Sequence, residues 1–320
     1  MSPTAVGGSI GRYSIHGIAV VLQSHVPALQ PQVDALLAPF SSASDGPAAS
    51  ALVGTLRPYS QAEVLRHLSP SAVRLAVPGK LIEAYRDGER TWIVDDRWGM
   101  LEMNVLQGTW RSWLLPRPAI PPARCAERAV LRPLAELLRP RGLTLLPAAA
   151  LARDGWGVLL ISSFNIAAEM AALVNAGYRV IGQRWTALRE VRHGAGRVEM
   201  LHIPSRIESR IPGVTQARAL CDAVALIQPG RRAVARAVQL QPEQAFDALR
   251  RGWPIVELHR SRADLPRRLA QGCRCIELHL SHQPEDILGL LETLRAPVLA
   301  LGGPTPTALA RRFVPALVRR

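Results

Sequence analysis

The sequence predicts a mixed α/β protein: a mixed sheet flanked by helices, preceded by a small mainly-β unit. Three observations carry this. From residue 157 onward, apolar strand-like runs alternate with helix-like runs, the pattern of a layered α/β domain. Earlier, Asp87-Gly88 sits between two strand-like flanks in "YRDGERTWIV", a hairpin signal. Between these regions "PRPAIPPAR" (116–124) places four prolines in nine residues and reads as an extended linker. The predicted division is a small α+β domain over 1–115, a Pro-rich linker over 116–125, an α/β domain over 126–301 and a basic tail over 302–320.

Along the chain, "YSIHGIAVVLQS" (13–24) has the β-branched content of a strand, and "VPALQPQVDALLAPF" (26–40) reads as a short helix after it. "SSASDGPAAS" (41–50) is loop-like. After the linker, "AERAVLRPLAELLRPRG" (126–142) is an amphipathic helix ending near Pro140 and Gly142. Strand "GVLLI" (157–161) leads into helix "IAAEMAALVNAG" (166–177), with Asn165 as N-cap and Gly177 as the C-terminal stop. "YRVIG" is the next strand, and "TALREVRHGAGRVEMLHIP" (186–204) is two strands about a Gly-rich turn. A strand at 222–230, a helix opened by Pro242, a strand at 273–281 and a helix at 284–294 complete the alternation.

Of 39 basic residues only Lys80 is a lysine, and the formal net charge is +14. Codon usage explains the arginine skew on one reading, and selection toward acidic partners on the other. The basic residues are spread along the chain rather than gathered in a stripe with aromatics, which makes nucleic acid an unlikely partner. No apolar run approaches the roughly 18–20 residues needed to cross a bilayer. No basic segment with an apolar core opens the chain, and four cysteines are too few for a disulfide scaffold at this length. The expected location is therefore the cytoplasm.

The order of signals over about 126–295 resembles the catalytic domain of HPr serine kinase/phosphorylase and of shorter HPr-kinase-related proteins from bacterial peptide-modification gene clusters. The residues that carry the resemblance are "LLPAAALARDGWGVLLIS", "AALVNAGYRVIGQRW" and the hairpin run to "HIPSRIESRIPG". "YRDG…W…D-RWG" is weakly similar to the N-terminal region of the related group. The resemblance implies a P-loop/HPr-kinase-like mixed sheet, with a phosphate loop between strand 157–161 and the next helix.

That loop reads Ser162-Ser163-Phe164-Asn165-Ile166-Ala167-Ala168-Glu169. A P-loop needs small residues so that backbone N–H groups can surround phosphate, and a lysine to neutralise it. Here glycine and lysine are absent, Phe164 and Ile166 add bulk, and Glu169 adds negative charge. Where the family's next strand ends in acidic residues, this chain has Gln183 and Arg184, and Pro147 stands where relatives often carry histidine. Three parts of phosphoryl-transfer chemistry are missing. Ser162, Ser163, Asn165 and Glu169 are expected to be a vestigial phosphate loop, and Gln183 and Arg184 vestigial acidic positions. No catalytic residue, cofactor or metal is expected.

Other constellations admit two readings each. Trp98, Trp110 and Trp113, with Trp92, are either the core of a β unit or a partner-binding surface. Arg184, Arg206 and Arg210 are either solvated or contacts for an anionic partner. Asp95 and Asp96 can pair with Arg97 or cap a turn. Cys273-x-Cys275-x3-His279-x2-His282 has zinc-ligand types, but strand alternation puts His282 on the opposite face, so plain strand cysteines are expected. The tail 302–320 ends in a short basic amphipathic helix.

The resulting functional expectation is a catalytically inactive HPr-kinase-like protein, a pseudokinase with a degenerate P-loop. It would act as a companion subunit for a peptide-modifying enzyme in a peptide natural-product (RiPP) pathway, its partner an acidic peptide or that enzyme. The pathway comes from the resemblance alone. Oligomerisation is open. The alternatives are a divergent Ser/Thr phosphotransferase with an unusual ATP mode and a basic nucleic-acid-binding protein.

Overall fold

The computed structural model describes residues 8–42, 50–60, 71–75, 82–191, 197–203, 217–229, 233–252 and 264–295. Within them, strands β1 (Ser9–Ile15), β2 (Ile18–Ser24), β3 (Leu52–Pro58), β4 (Val73–Leu75), β5 (Glu83–Asp87), β6 (Arg90–Asp95), β7 (Gly99–Asn104) and β8 (Thr109–Leu114) form one sheet. Its order is β1-β2-β3-β8-β7-β6-β5-β4. Only the β2–β3 and β3–β8 pairs are parallel. The expected hairpin at Asp87-Gly88 is present, with Asp87 opposite Arg90.

The run 13–24 is two strands rather than one. Ile15 opposes Ile18, so His16-Gly17 is the turn, with φ of 48° and 89°. Two positive φ values in a two-residue loop match the twist of a hairpin. Glycine adopts its value freely, and histidine is tolerated there more often than most residues. A histidine is a weak turn signal in sequence, which is why the break is hard to read. His16 Nε2 lies 2.9 Å from the His202 carbonyl oxygen, so this turn touches the second half of the chain.

The expected helix 126–142 begins earlier and is irregular: Pro122–Ala126 is α-helical, Glu127–Leu131 is a π turn, and Arg132–Leu137 is α-helical again. Proline explains part of this. An α-helical ladder assigns the Ala129 carbonyl to the N–H of residue 133, and Pro133 has none. The Arg132 N–H reaches back to the Glu127 carbonyl instead. Two side chains of β8 take up the Ala129 oxygen: Trp110 Nε1 donates at 3.1 Å and Ser112 Oγ at 2.8 Å. They are two apart on the strand and so share a face. Gly54 lies opposite Trp110 on β3, and a Cβ there would come within 2.1 Å of the indole.

These contacts correct the linker boundary. Helix starts at Pro122 inside the expected 116–125 linker, and Cys125 and Ala126 are fully buried. A single core cluster joins Leu101 and Trp110 of the first sheet, Ala129 and Leu134 of the helix, and Leu145, Ala187 and Leu201 beyond it. The expected domain border therefore runs through a shared core.

Next come β9 (Leu143–Leu146), β10 (Ala149–Arg153), β11 (Trp156–Ser162), β12 (Arg179–Gly182), β13 (Thr186–Glu190), β14 (Val198–His202), β15 (Arg218–Leu220), β16 (Ala223–Ile227), β17 (Arg236–Gln239) and β18 (Arg274–His279). They form a sheet of order β12-β10-β11-β16-β18-β17 and another of order β15-β14-β13-β9. β11, β16 and β18 run parallel. Helices Ala167–Asn175 and Asp286–Arg295 cover one face of the larger sheet. Helices Pro242–Gly252 and Asp264–Gly272, with the smaller sheet, cover the other. The predicted mixed α/β class, with mixed sheets and flanking helices, is what the chain forms. The 302–320 tail lies outside the described residues.

Trp110→Phe and Ser112→Ala should each cost about 1 kcal/mol, and the pair together about 1 kcal/mol more than their sum, because only the double substitution strands the buried carbonyl. Urea unfolding of the four-member cycle measures this.

Candidate functional site

In an open α/β sheet, ligands bind beyond the carboxyl ends of parallel strands. Here that edge is made by the residues after β11, β16 and β18, with Gln183 and Arg184 following β12. The loop after β11 is closed by its own groups. Ser162 Oγ donates to the Phe164 carbonyl at 3.1 Å and accepts from the Phe164 N–H at 3.2 Å. Asn165 Oδ1 accepts from the Ala167 N–H at 3.0 Å, so it closes a turn just ahead of the helix, whose N-cap position is Ile166. Phe164 packs on the core that also holds Ile166, Met170 and Leu173. Ser163 and Asn165 are exposed, while Glu169 is buried in the first helical turn. Gly177 ends the helix at φ 92°, as expected of a C-terminal stop.

The position after β12 is equally committed. Arg184 Nε lies 3.0 Å from Glu127 Oε1. Trp185 Nε1 donates to the same oxygen, and Arg124 Nη1 lies 3.5 Å from Glu127 Oε2. Glu127 is buried and belongs to the π turn, so Arg184 ties β12 to the helix that carries the first sheet. Its charge is answered within the chain. Sequence reasoning missed Glu127, because nothing in "CAERAV" marks one glutamate as an interior anchor. Gln183 is half-buried. Arg206 and Arg210 lie outside the described residues.

The tryptophans are corrected too. Trp98, Trp110 and Trp113 are 0–1% exposed, so they offer no surface to a partner. Trp98 and Trp110 sit in the main core. Trp92 and Trp113 stack on the other sheet face, centroids 5.7 Å apart, with Met100. Alternation along β8 sends Trp110 and Trp113 to opposite faces.

Asp95 does pair with Arg97 and cap the turn. Arg97 donates from Nε and Nη2 to the two carboxylate oxygens, each at 2.8 Å, and from its backbone N–H at 3.2 Å. Arg128 bonds Oδ2 as well. Burial pushes this carboxyl's pKa up, but the Arg97 hydrogen bonds and the Arg128 charge outweigh it and hold it below the usual value.

The cysteines form a thiol cluster at the start of β16 and β18. Cys273 Sγ donates to the Cys221 carbonyl at 3.1 Å. A side-chain hydrogen bond with Cys273, and then burial, push the Cys221 thiol well up. Burial, then Cys273, push Cys275 to about 12. Such thiols stay protonated and are poor nucleophiles. Among the described residues, no group of three or more His, Cys, Asp or Glu side chains is placed to hold a metal ion. A surface cavity of about 410 Å³ is lined by His25, Arg57, Pro58, Tyr59 and Ser60, in the first sheet and not at the 162–166 loop.

No family model matches the chain, and no curated protein matches it. Among solved structures it is similar to the Hpr(Ser) kinase/phosphatase from Coxiella burnetii at 12% identity and a TM-score of 0.28, covering 48% of this chain and 90% of that one. This is a distant fold likeness at most and says nothing of activity.

Two outcomes follow. Glu127→Ala, which leaves Arg184 and the Trp185 N–H without their acceptor, should cost about 3 kcal/mol in denaturant unfolding. Asp95→Asn should cost about 2 kcal/mol at pH 7, discounted for the solvent-facing Arg97. The lowered folded pKa makes Asp95's contribution present above about pH 4 and lost as pH falls through that lower value. The gap between wild type and Asp95→Asn should therefore close in acid, as thermal unfolding across pH 2–7 would show.

Proposed function

We propose that the protein works by binding rather than by phosphoryl transfer, as a non-catalytic companion that presents or receives an acidic extended peptide or the acidic surface of a modifying enzyme. One observation carries the reading: two polar side chains of the strand–loop–helix turn at 162–169 are engaged within the turn. Ser162 and Asn165 bond neighbouring backbone, Phe164 and Ile166 pack inward, and a buried carboxylate occupies the first helical turn. A phosphate tail would need backbone N–H groups and a cation there. The assignment to peptide natural-product pathways rests on the family resemblance and is part of the proposal.

With the tryptophans interior, the surface best suited to a peptide is β17. It is the last strand of its sheet, and all four of its residues are exposed. Val234 and Val238 are exposed apolar side chains on this segment, and Arg236 lies between them. An edge strand with an open backbone accepts a further strand, and side chains of both kinds supply specificity. The +14 charge steers acidic partners toward the molecule.

Mg-ATP should leave the thermal midpoint unchanged, and a stabilisation abolished by EDTA would overturn the non-catalytic reading. A fluorescent peptide of alternating Glu and Val should bind with an affinity that falls as salt rises, and Arg236→Glu should weaken it about tenfold. Binding indifferent to that substitution excludes β17.

A further inference from the structure

The surface cavity of about 410 Å³ lies where two parallel strands end. β2 stops at Ser24 and β3 at Pro58, and Ser24 is the register partner of Leu56. The His25 N–H donates to the Leu56 carbonyl at 2.8 Å, which carries the pairing beyond Ser24 and sets His25 beside Arg57. Alternation then fixes their direction. Leu22 and Leu56 point into the main core, so His25 and Arg57 stand on the opposite face of the sheet. Arg57 shares that face with its register partner Trp113. Tyr59 packs there against Trp92, Met100 and Trp113, and its N–H donates to the Leu114 carbonyl at 2.7 Å. On the other side the His25 ring lies against Gly8, where a Cβ would come within 2.8 Å of it. Backbone pairing and packing thus set the walls of the cavity.

The described residues that line it are His25, Arg57, Pro58, Tyr59 and Ser60, and none of them is acidic. All but Pro58 carry a side-chain N–H or O–H donor, and the Pro58 and Tyr59 rings supply apolar surface. The volume falls within the roughly 300–1,000 Å³ of small-molecule sites, and the carboxyl ends of parallel strands are where open sheets bind ligands. We infer that this cavity binds a small organic anion, a carboxylate or phosphate group on a flat apolar body. The planar Arg57 fork takes the anionic oxygens. The His25 ring N–H and the Ser60 hydroxyl add donors, and Pro58 and Tyr59 cover the apolar part. The net charge of +14 draws such ligands toward the chain. The inference is independent of β17 and of the 162–169 loop, which belong to another sheet.

The test is a ligand-observed NMR titration of the full chain with phenyl phosphate and benzoate, against benzamidine, which has the shape of benzoate and the opposite charge. Phenyl phosphate or benzoate should bind and benzamidine should not, and the tighter anion identifies the preferred group. Arg57→Met should weaken that binding about tenfold. Ser60→Glu, at an exposed position, should weaken it comparably by placing a carboxylate at the rim. Arg74→Met removes the same charge from the far edge strand β4 and should leave binding intact. The site is overturned if neither anion binds, if benzamidine binds as well as benzoate, or if Arg57→Met and Ser60→Glu weaken binding no more than Arg74→Met. Should Arg57→Met not fold, Ser60→Glu against Arg74→Met decides the matter.

Discussion

A single backbone oxygen organises this fold. Pro133 deprives the Ala129 carbonyl of its helical donor, and that oxygen is buried, so something must satisfy it. Trp110 and Ser112 do so from β8, and in doing so they fix where the helix lies on the first sheet. The indole can reach only because Gly54, opposite it on β3, carries no side chain. Three separated stretches of sequence thus become one constraint. The π turn just before the proline adds a second consequence: it carries Glu127, which meets Arg184 and Trp185 in the other half of the chain. The helix is a shared wall, with the first sheet on one side and the start of the second unit on the other.

This explains which features could be read in the sequence. The strand–loop–helix–strand run from 157 to 182 and the hairpin around 186–202 were legible because each is local: periodicity, a glycine stop at 177 and turn chemistry suffice. The helix near 126 was legible as a helix, but amphipathicity states only that a face is buried and leaves open against what. The four prolines of 116–124 suggest separation, whereas Pro121 and Pro122 in fact begin the helix, a position where proline's fixed φ and missing N–H do no harm. Tryptophan burial was undecidable for the same reason. Strand alternation separates Trp110 from Trp113, but only the long-range pairing of β3 with β8 shows that both faces are covered.

The 162–169 loop illustrates how a strand-to-helix turn can be complete without a ligand. A helix N-terminus carries partial positive charge and free N–H groups, and both attract anions. In this chain Asn165 takes one donor and Glu169 brings the negative charge from within. Both groups come from the chain itself. That answer was visible in the residue types, while the inward packing of Phe164 needed the fold.

Charge shows the same logic on a larger scale. With 39 basic and 25 acidic residues, carboxylates are the scarce partner, and the structure divides them between arginines. Glu102 faces Arg90 with one oxygen and Arg111 with the other; Glu199 does likewise with Arg218 and Arg189; Asp95 and Glu127 each serve two guanidinium groups. Sharing works because each carboxylate oxygen can accept more than one N–H, and the flat guanidinium approaches along an edge and leaves room for a second. Lysine, a compact and strongly hydrated point charge, is less suited to this. Sharing has a limit, however, since a carboxylate has only two oxygens. Glu127 meets that limit: Arg184 and the Trp185 indole take one of its oxygens and Arg124 the other.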